Sequence, residues 1–168
     1  SQALKNCKKV MKLTKCDGLK IEGGLKKIKI IRHLIKNKIP VMGHLGILPQ
    51  STKGKFKSKG KSIKERNELI RDCKILEDAG VFSIVLECVE SKLARHITNL
   101  IKIPTIGIGS SNNCDGQILV IDDILGLTES KMKFVKKYAN VKKIIAFGAK
   151  KFKKEVKSKK YPSQKHSY

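Results

Sequence analysis

Val81-Phe-Ser-Ile-Val-Leu-Glu87 decides the fold: a short apolar run, Ile84 to Leu86 at its centre, that ends abruptly in a carboxylate. Before it, Ser62-Ile-Lys-Glu65 has the spacing of a helix-capping box, and Leu69, Cys73 and Leu76 recur at helical intervals until Asp78-Ala-Gly80. After it, Leu93, Ile97 and Leu100 mark one face of a second helix over Ser91 to Leu100. Helix, buried strand, helix is the unit of an α/β protein with a parallel sheet.

Outward from this unit the same grammar repeats. Apolar runs are expected as strands near 18–22, 40–44, 104–109 and 117–122, leading to Glu22, His44, Gly109 and Asp122. Ile28, Ile31 and Ile35 place another amphipathic helix over Leu25 to Asn37. Glu22 and His44 are 22 positions apart, as are Glu87 and Gly109, about one strand, loop and helix. Such units build a (βα) barrel, whose site lies at the carboxyl ends of the strands, where Glu22, His44, Glu87 and Asp122 are expected to converge. A whole barrel typically takes about 250 residues, whereas 168 residues hold five such strands. The chain is therefore expected to be the last five βα units of a barrel, forming a single domain over 1–168. Residues 128–168 are expected to be C-terminal helices that give way to a polar tail from Lys150, and Ser51 to Lys61 reads as a mobile loop.

Composition narrows the functional classes. The chain has 38 basic against 14 acidic residues, a formal charge of +24, and an apolar share of 40%. The charge would draw polyanions, but 34 of the basic residues are Lys, aromatics are 5% and Trp is absent. Neither bidentate base readout nor a stacking platform has a basis, so a solvated Lys-rich surface is expected in place of a specific nucleic-acid site. No window carries the roughly 18 apolar residues of a membrane span. Five cysteines with no Cys-x-x-Cys pair argue for free thiols and a cytoplasmic setting.

Four residues carry the expected chemistry. Glu87, in partly desolvated surroundings at a strand end, suits a general base, although a buried Glu paired with lysine reads equally well. Lys20 and Glu22, two apart on a strand, point to one face, as an internal ion pair or as a pair that receives a substrate carboxylate. His44, between Gly43 and Gly46, is either a rim support or a satisfied structural histidine. Asp122 and Asp123 read as helix caps or lysine partners before metal ligands. Gly107-Ile-Gly109-Ser-Ser-Asn112 lacks the third glycine and the following helix of a dinucleotide fingerprint. Phosphate-loop, serine-elbow and zinc-protease motifs are absent from the sequence.

Together, Leu19-Lys-Ile-Glu-Gly-Gly24, Pro40-Val-Met-Gly-His-Leu-Gly46 with Leu48-Pro-Gln-Ser51, Leu86-Glu-Cys-Val89, Ile103-Pro-Thr-Ile-Gly-Ile-Gly109 and Cys114-Asp-Gly-Gln-Ile-Leu-Val120 resemble the ketopantoate hydroxymethyltransferase family. The resemblance implies a (βα)8 TIM barrel, usually a homodecamer. It implies Mg²⁺-dependent transfer of a one-carbon unit from 5,10-methylenetetrahydrofolate to 3-methyl-2-oxobutanoate, giving 2-dehydropantoate in pantothenate biosynthesis. Glu87 matches the family's proton acceptor, Lys20 a residue that binds the oxo acid, and Glu22 an acid of the Mg²⁺ site. The family's N-terminal third, with two aspartates that ligate the metal, has no counterpart here, so this chain alone is expected to be inactive. Gly54-Lys55-Phe56, Glu90 and Ser110-Ser111 depart from the family pattern. The competing expectations are a basic nucleic-acid-binding module and another Mg²⁺-dependent oxo-acid barrel, whose active-site cysteine motif is missing.

Overall fold

The computed structural model describes residues 1–51 and 57–168, in two compact units, Ser1–Ile118 and Leu119–Tyr168. In the first unit, helix α1 (Gln2–Thr14) precedes strand β1 (Leu19–Glu22), helix α2 (Ile28–Lys36), strand β2 (Val41–Gly46) and helix α3 (Ile63–Asp78). Strand β3 (Ser83–Glu87), helix α4 (Ser91–Leu100), strand β4 (Thr105–Ile108) and strand β5 (Gly116–Gln117) follow. The five strands are parallel and lie side by side in chain order. Sequential order without reversal is the winding of a (βα) barrel, of which these strands form an arc.

Register divides the sheet into two faces. Leu19 pairs with Val41 and Gly43 with Ile84, so Val41, Leu45, Ile84 and Leu86 share the face turned to the helices. There they meet Ile31 and Leu34 of α2, Cys73 and Leu76 of α3, and Leu93, Ala94 and Ile97 of α4. Full burial of one such side chain contributes roughly 1.5–3 kcal/mol, and this cluster is the main source of cohesion in the unit. Side chains alternate along a strand, so the intervening positions Lys20, Glu22, His44, Val85 and Glu87 share the opposite face.

The helix starts follow local chemistry. Ser62 is the N-cap of α3, its hydroxyl accepting from Glu65 N at 3.2 Å, while the Glu65 carboxylate accepts from the Gly60 and Lys61 amides. Glu90 caps α4 by accepting from Lys92 N and Leu93 N. Helix α1 was not expected; Leu4, Cys7 and Met11, spaced as one helical face, pack on the core.

The fifth strand differs from its expected span of 117–122. The ladder stops at Gln117, which pairs with Gly107, with Ile118 N still donating to Gly107 O at 3.0 Å; Ile108, the last residue of β4, has no partner in β5, and the chain leads instead into a helix that starts at Ile121. Beyond it Ile118, Val120 and Ile121 are exposed. The connection from β4 to β5 has no helix. It is held instead by Asp115, whose Oδ2 accepts from Thr105 N at 2.8 Å and Thr105 Oγ1 at 3.0 Å, and by Gln117 Nε2 donating to Ser111 O at 2.7 Å.

The second unit contains helix α5 (Ile121–Leu125) and helix α6 (Val141–Lys157). Asp122 is therefore not at a strand end. Asp122 and Asp123 lie in the first turn of α5, where acids suit the helix dipole; the cap position itself is Val120. Thr128 Oγ1 donates to Asp123 Oδ1. Helix α6 begins at Val141 and continues to Lys157, so the stretch from Lys150 read as a tail is helical for two further turns. Of the expected loop Ser51 to Lys61, residues 52–56 lie outside the described residues, while Lys59 forms a parallel bridge with Val89.

Candidate active site

Three neighbouring strands bring the site together. Glu22 closes β1 beside His44 in β2, and Gly46 at the end of β2 is in register with Glu87 at the end of β3. Gly46 has φ +95°, and a Cβ there would stand 2.1 Å from Glu87 O. Only glycine permits that approach, which the Ile47 N to Glu87 O bond of 2.9 Å then fixes.

His44 is completely buried between the two carboxylates. Its Nε2 is 3.0 Å from Glu87 Oε2 and its Nδ1 is 3.7 Å from Glu22 Oε1. Among the described residues neither ring nitrogen has a well-aligned hydrogen bond, so the contacts are close but not linear. Burial foremost, with the Lys20 ammonium adding to it, pushes the imidazole pKa down to about 4. The ring is therefore neutral at physiological pH, with one N–H to donate.

Glu87 is one-sixth exposed at its side chain. Desolvation raises its carboxyl pKa above the usual range; the Lys20 charge opposes this and the Glu22 charge reinforces it. A carboxylate so raised is a better proton acceptor than a solvated one. Lys20 is exposed, and among the described residues it belongs to no ion pair; the internal Lys20–Glu22 pair is not formed. Its charge acts on both Glu87 and His44.

Glu22 accepts one further bond, from Gln50 N to Oε2 at 3.2 Å. Its carboxylate is a hard oxygen donor of the kind Mg²⁺ takes, and Mg²⁺ commonly uses one or two carboxylates with the remaining positions filled by water and substrate. Among the described residues no three His, Cys, Asp or Glu side chains gather as a closed metal cage. The chemistry of the donor thus fits one corner of an open Mg²⁺ site. A cleft of about 540 Å³ also opens at Glu22, lined by Gly24, Leu25, Leu48, Lys59 and Asp72 among others. Lys20, His44 and Glu87 are not part of its wall.

Past Glu87 the chain bends sharply: Cys88 adopts φ +52°, its amide donates to Ile108 O at 2.8 Å, and its carbonyl accepts from Lys59 N at 2.9 Å. Burial, and then the neighbouring Glu87 charge, push the Cys88 thiol pKa up. Ser110 Oγ donates to Leu86 O at 2.7 Å and accepts from Val89 N at 3.0 Å. The sequence points to the carboxylates, the lysine and the histidine, but not to this bend, and it marks Ser110 only as part of the Ser110-Ser111 departure from the family pattern.

A family model described as ketopantoate hydroxymethyltransferase matches residues 1–164. The chain is 62% identical over 167 residues to a 3-methyl-2-oxobutanoate hydroxymethyltransferase of Pelagibacter ubique (strain HTCC1062), covering 99% of this chain and 65% of that protein. It is 44% identical over 169 residues to the protein of the same name from Chlorobaculum tepidum, covering 99% of this chain and 61% of the relative. With that of Pyrobaculum neutrophilum the identity is 46% over 166 residues, covering 98% and 63%. The chain thus spans 61% to 65% of the length of these relatives.

Proposed function

This chain belongs to the ketopantoate hydroxymethyltransferase family, and from that premise we propose that it carries the proton-abstracting part of a 3-methyl-2-oxobutanoate hydroxymethyltransferase site. The observation that supports the reading is the row Glu22, His44 and Glu87 on one face of the sheet, with Lys20, which forms no ion pair among the described residues, on the same face. In this reading Lys20 binds the carboxylate of the oxo acid. Glu87 takes the C3 proton, and the electron pair of the broken C–H bond delocalises into the oxo group before attacking the bridging carbon of 5,10-methylenetetrahydrofolate. As the C–C bond forms, both C–N bonds of that carbon are given up in turn, and water supplies the hydroxyl of the new hydroxymethyl group. The Glu87 proton and one from water go to the two folate nitrogens, releasing tetrahydrofolate. Neutral His44 steers the Glu87 carboxylate and excludes water from behind it. Glu22 would hold Mg²⁺, which when bound supplies Lewis-acid charge beside the oxo oxygen.

The product of the proposed reaction is 2-dehydropantoate, which places it in pantothenate biosynthesis. We extend the proposal to a homo-oligomer, decameric as the family resemblance implies. A cytoplasmic setting accords with five free thiols and with the fact that, among the described residues, no helix is long and apolar enough to cross a membrane.

The test is exchange of the C3 proton of 3-methyl-2-oxobutanoate in D₂O with Mg²⁺, followed by proton NMR. Residues 1–168 are assayed alone and within a chain of the relatives' full length. Exchange that is lost in Glu87→Gln supports the reading. Exchange retained in Glu87→Gln, or absent from both forms of the protein, rejects it.

A further inference from the structure

We propose that Ser110 is the positioning residue for Glu87, its hydroxyl clasping the backbone on both sides of the bend that aims the carboxylate. This inference rests on reading Glu87 as the proton acceptor.

Glu87 is the last residue of β3, and the direction of its side chain depends on where the chain goes next. Cys88 takes φ +52°, a conformation that side chains other than glycine seldom adopt. A residue held there needs surroundings that over-determine it. Three of the restraints are bonds between backbone atoms: Ile47 N to Glu87 O at 2.9 Å, Cys88 N to Ile108 O at 2.8 Å, and Lys59 N to Cys88 O at 2.9 Å. The fourth comes from a side chain. Ser110 Oγ gives its proton to Leu86 O, just before Glu87, and receives the amide of Val89, just after Cys88.

One hydroxyl therefore spans the four-residue bend Leu86–Val89 from just beyond the end of the neighbouring strand. It uses its donor and one acceptor lone pair at once. Val89 is 2% exposed, so water has little access to replace the bond. Methyl in place of hydroxyl leaves the Val89 amide without this partner and frees the bend to relax, turning Glu87 away from His44.

The test compares Ser110→Ala, Ser110→Cys and Ser110→Thr with the unaltered chain by NMR. Two readouts do not depend on turnover: amide exchange at Val89, and the ¹⁵N shift of His44 Nε2, which reports its contact with Glu87. In Ser110→Ala the Val89 amide is expected to exchange about tenfold faster relative to Ile84 and Val85, and the Nε2 resonance to shift. Ser110→Thr, which keeps the hydroxyl, is expected to restore both. Where full-length protein turns over, kcat for C3 exchange falls about tenfold in Ser110→Ala with little change in KM. A merely structural serine would lower stability and leave the Nε2 resonance in place, which overturns the proposal, as does unchanged Val89 exchange. Should Ser110→Ala fail to fold, Ser110→Cys, similar in size but weaker in hydrogen bonding, is judged by the same two readouts. Absence of C3 exchange in the unaltered protein rejects the role of Glu87, while the two NMR readouts still decide whether Ser110 sets its direction.

Discussion

His44 Nε2 stands 3.0 Å from Glu87 Oε2, and the imidazole is wholly enclosed while the carboxylate retains an edge to solvent. The pair joins a group that resists gaining a proton to one that gains it readily. Burial pushes His44 down to about 4 and Glu87 above the usual carboxylate range. Within the pair it is the carboxylate that is tuned to accept a proton, and the ring stays neutral beside it.

The pH dependence of stability follows. The unfolded chain protonates His44 near 6.5 and the folded chain only near 4, so the unfolded state binds more protons between these values. Stability from His44 is fully present above pH 6.5 and declines towards pH 4, by on the order of 3 kcal/mol. Glu87 acts in the opposite sense, because its folded-state pKa is raised; its contribution declines as pH rises through that value. Glu65, Glu90 and Asp115 have lowered pKa values, and their losses set in only near and below the ordinary carboxylate range. Urea unfolding at several pH values between 6.5 and 4.5 is expected to show a steeper acid loss in Glu87→Gln than in the unaltered chain, and little slope in His44→Phe. A His44→Phe profile as steep as that of the unaltered chain would remove His44 as the cause.

Lys20→Gln addresses the ammonium on the face shared with Glu22, His44 and Glu87. If Lys20 binds the substrate carboxylate equally in the ground and transition states, KM for the oxo acid rises about tenfold with kcat nearly constant. A fall in kcat at unchanged KM would instead assign Lys20 to the chemical step.

Two glycines with positive φ separate close contact from backbone strain. Gly46→Ala places a Cβ 2.1 Å from Glu87 O, a backbone atom that cannot move without disturbing β3. The expected cost is about 3 kcal/mol or more. At Gly80, φ is +88° but the nearest atom to a new Cβ is Ile35 Cγ2 at 3.6 Å, so only the backbone conformation is penalised, by about 1–2 kcal/mol. Denaturant midpoints of the two variants compare them directly, and equal losses would contradict the contact.

Asp115→Ala removes the acceptor of both the Thr105 amide and its hydroxyl at a residue with no exposure. The expected loss is about 1–3 kcal/mol from the buried amide alone. Thr98 Oγ1, 2.8 Å from Thr105 Oγ1, can offer the hydroxyl a partner but not the amide. Thermal unfolding of Asp115→Ala and Thr98→Ala should therefore rank the aspartate variant as the less stable.

How much was legible depended on distance along the chain. The Ser62 cap, the Leu69, Cys73 and Leu76 face and the apolar run before Glu87 are local patterns, and each appears in the structure where the pattern lies. The apolar run after Gln117 reads as a strand as well, yet pairing stops at Gly107–Gln117, one residue before β4 ends, and the run turns into a helix from Ile121. The lysines of α6 concealed a helix beyond Lys150, because a polar sequence without a buried face is compatible with either helix or tail. Lys20 and Glu22 were correctly read as sharing a face, but whether they pair with each other was open.

By itself the sequence determined the alternation of strands and helices, and with it a parallel sheet that carries Glu22 and Glu87 at the carboxyl ends of their strands and Lys20 and His44 within theirs. Those features depend on periodicities of two and 3.6 residues, which the chain expresses within a single element. Tertiary structure alone decided that His44 lies enclosed between two acids, that Lys20 forms no ion pair among the described residues, and that Ser110 grips the bend beyond Glu87. Each is set by the register of neighbouring strands and by contacts between residues more than twenty positions apart, where a shift of one residue would turn the side chains to the other face.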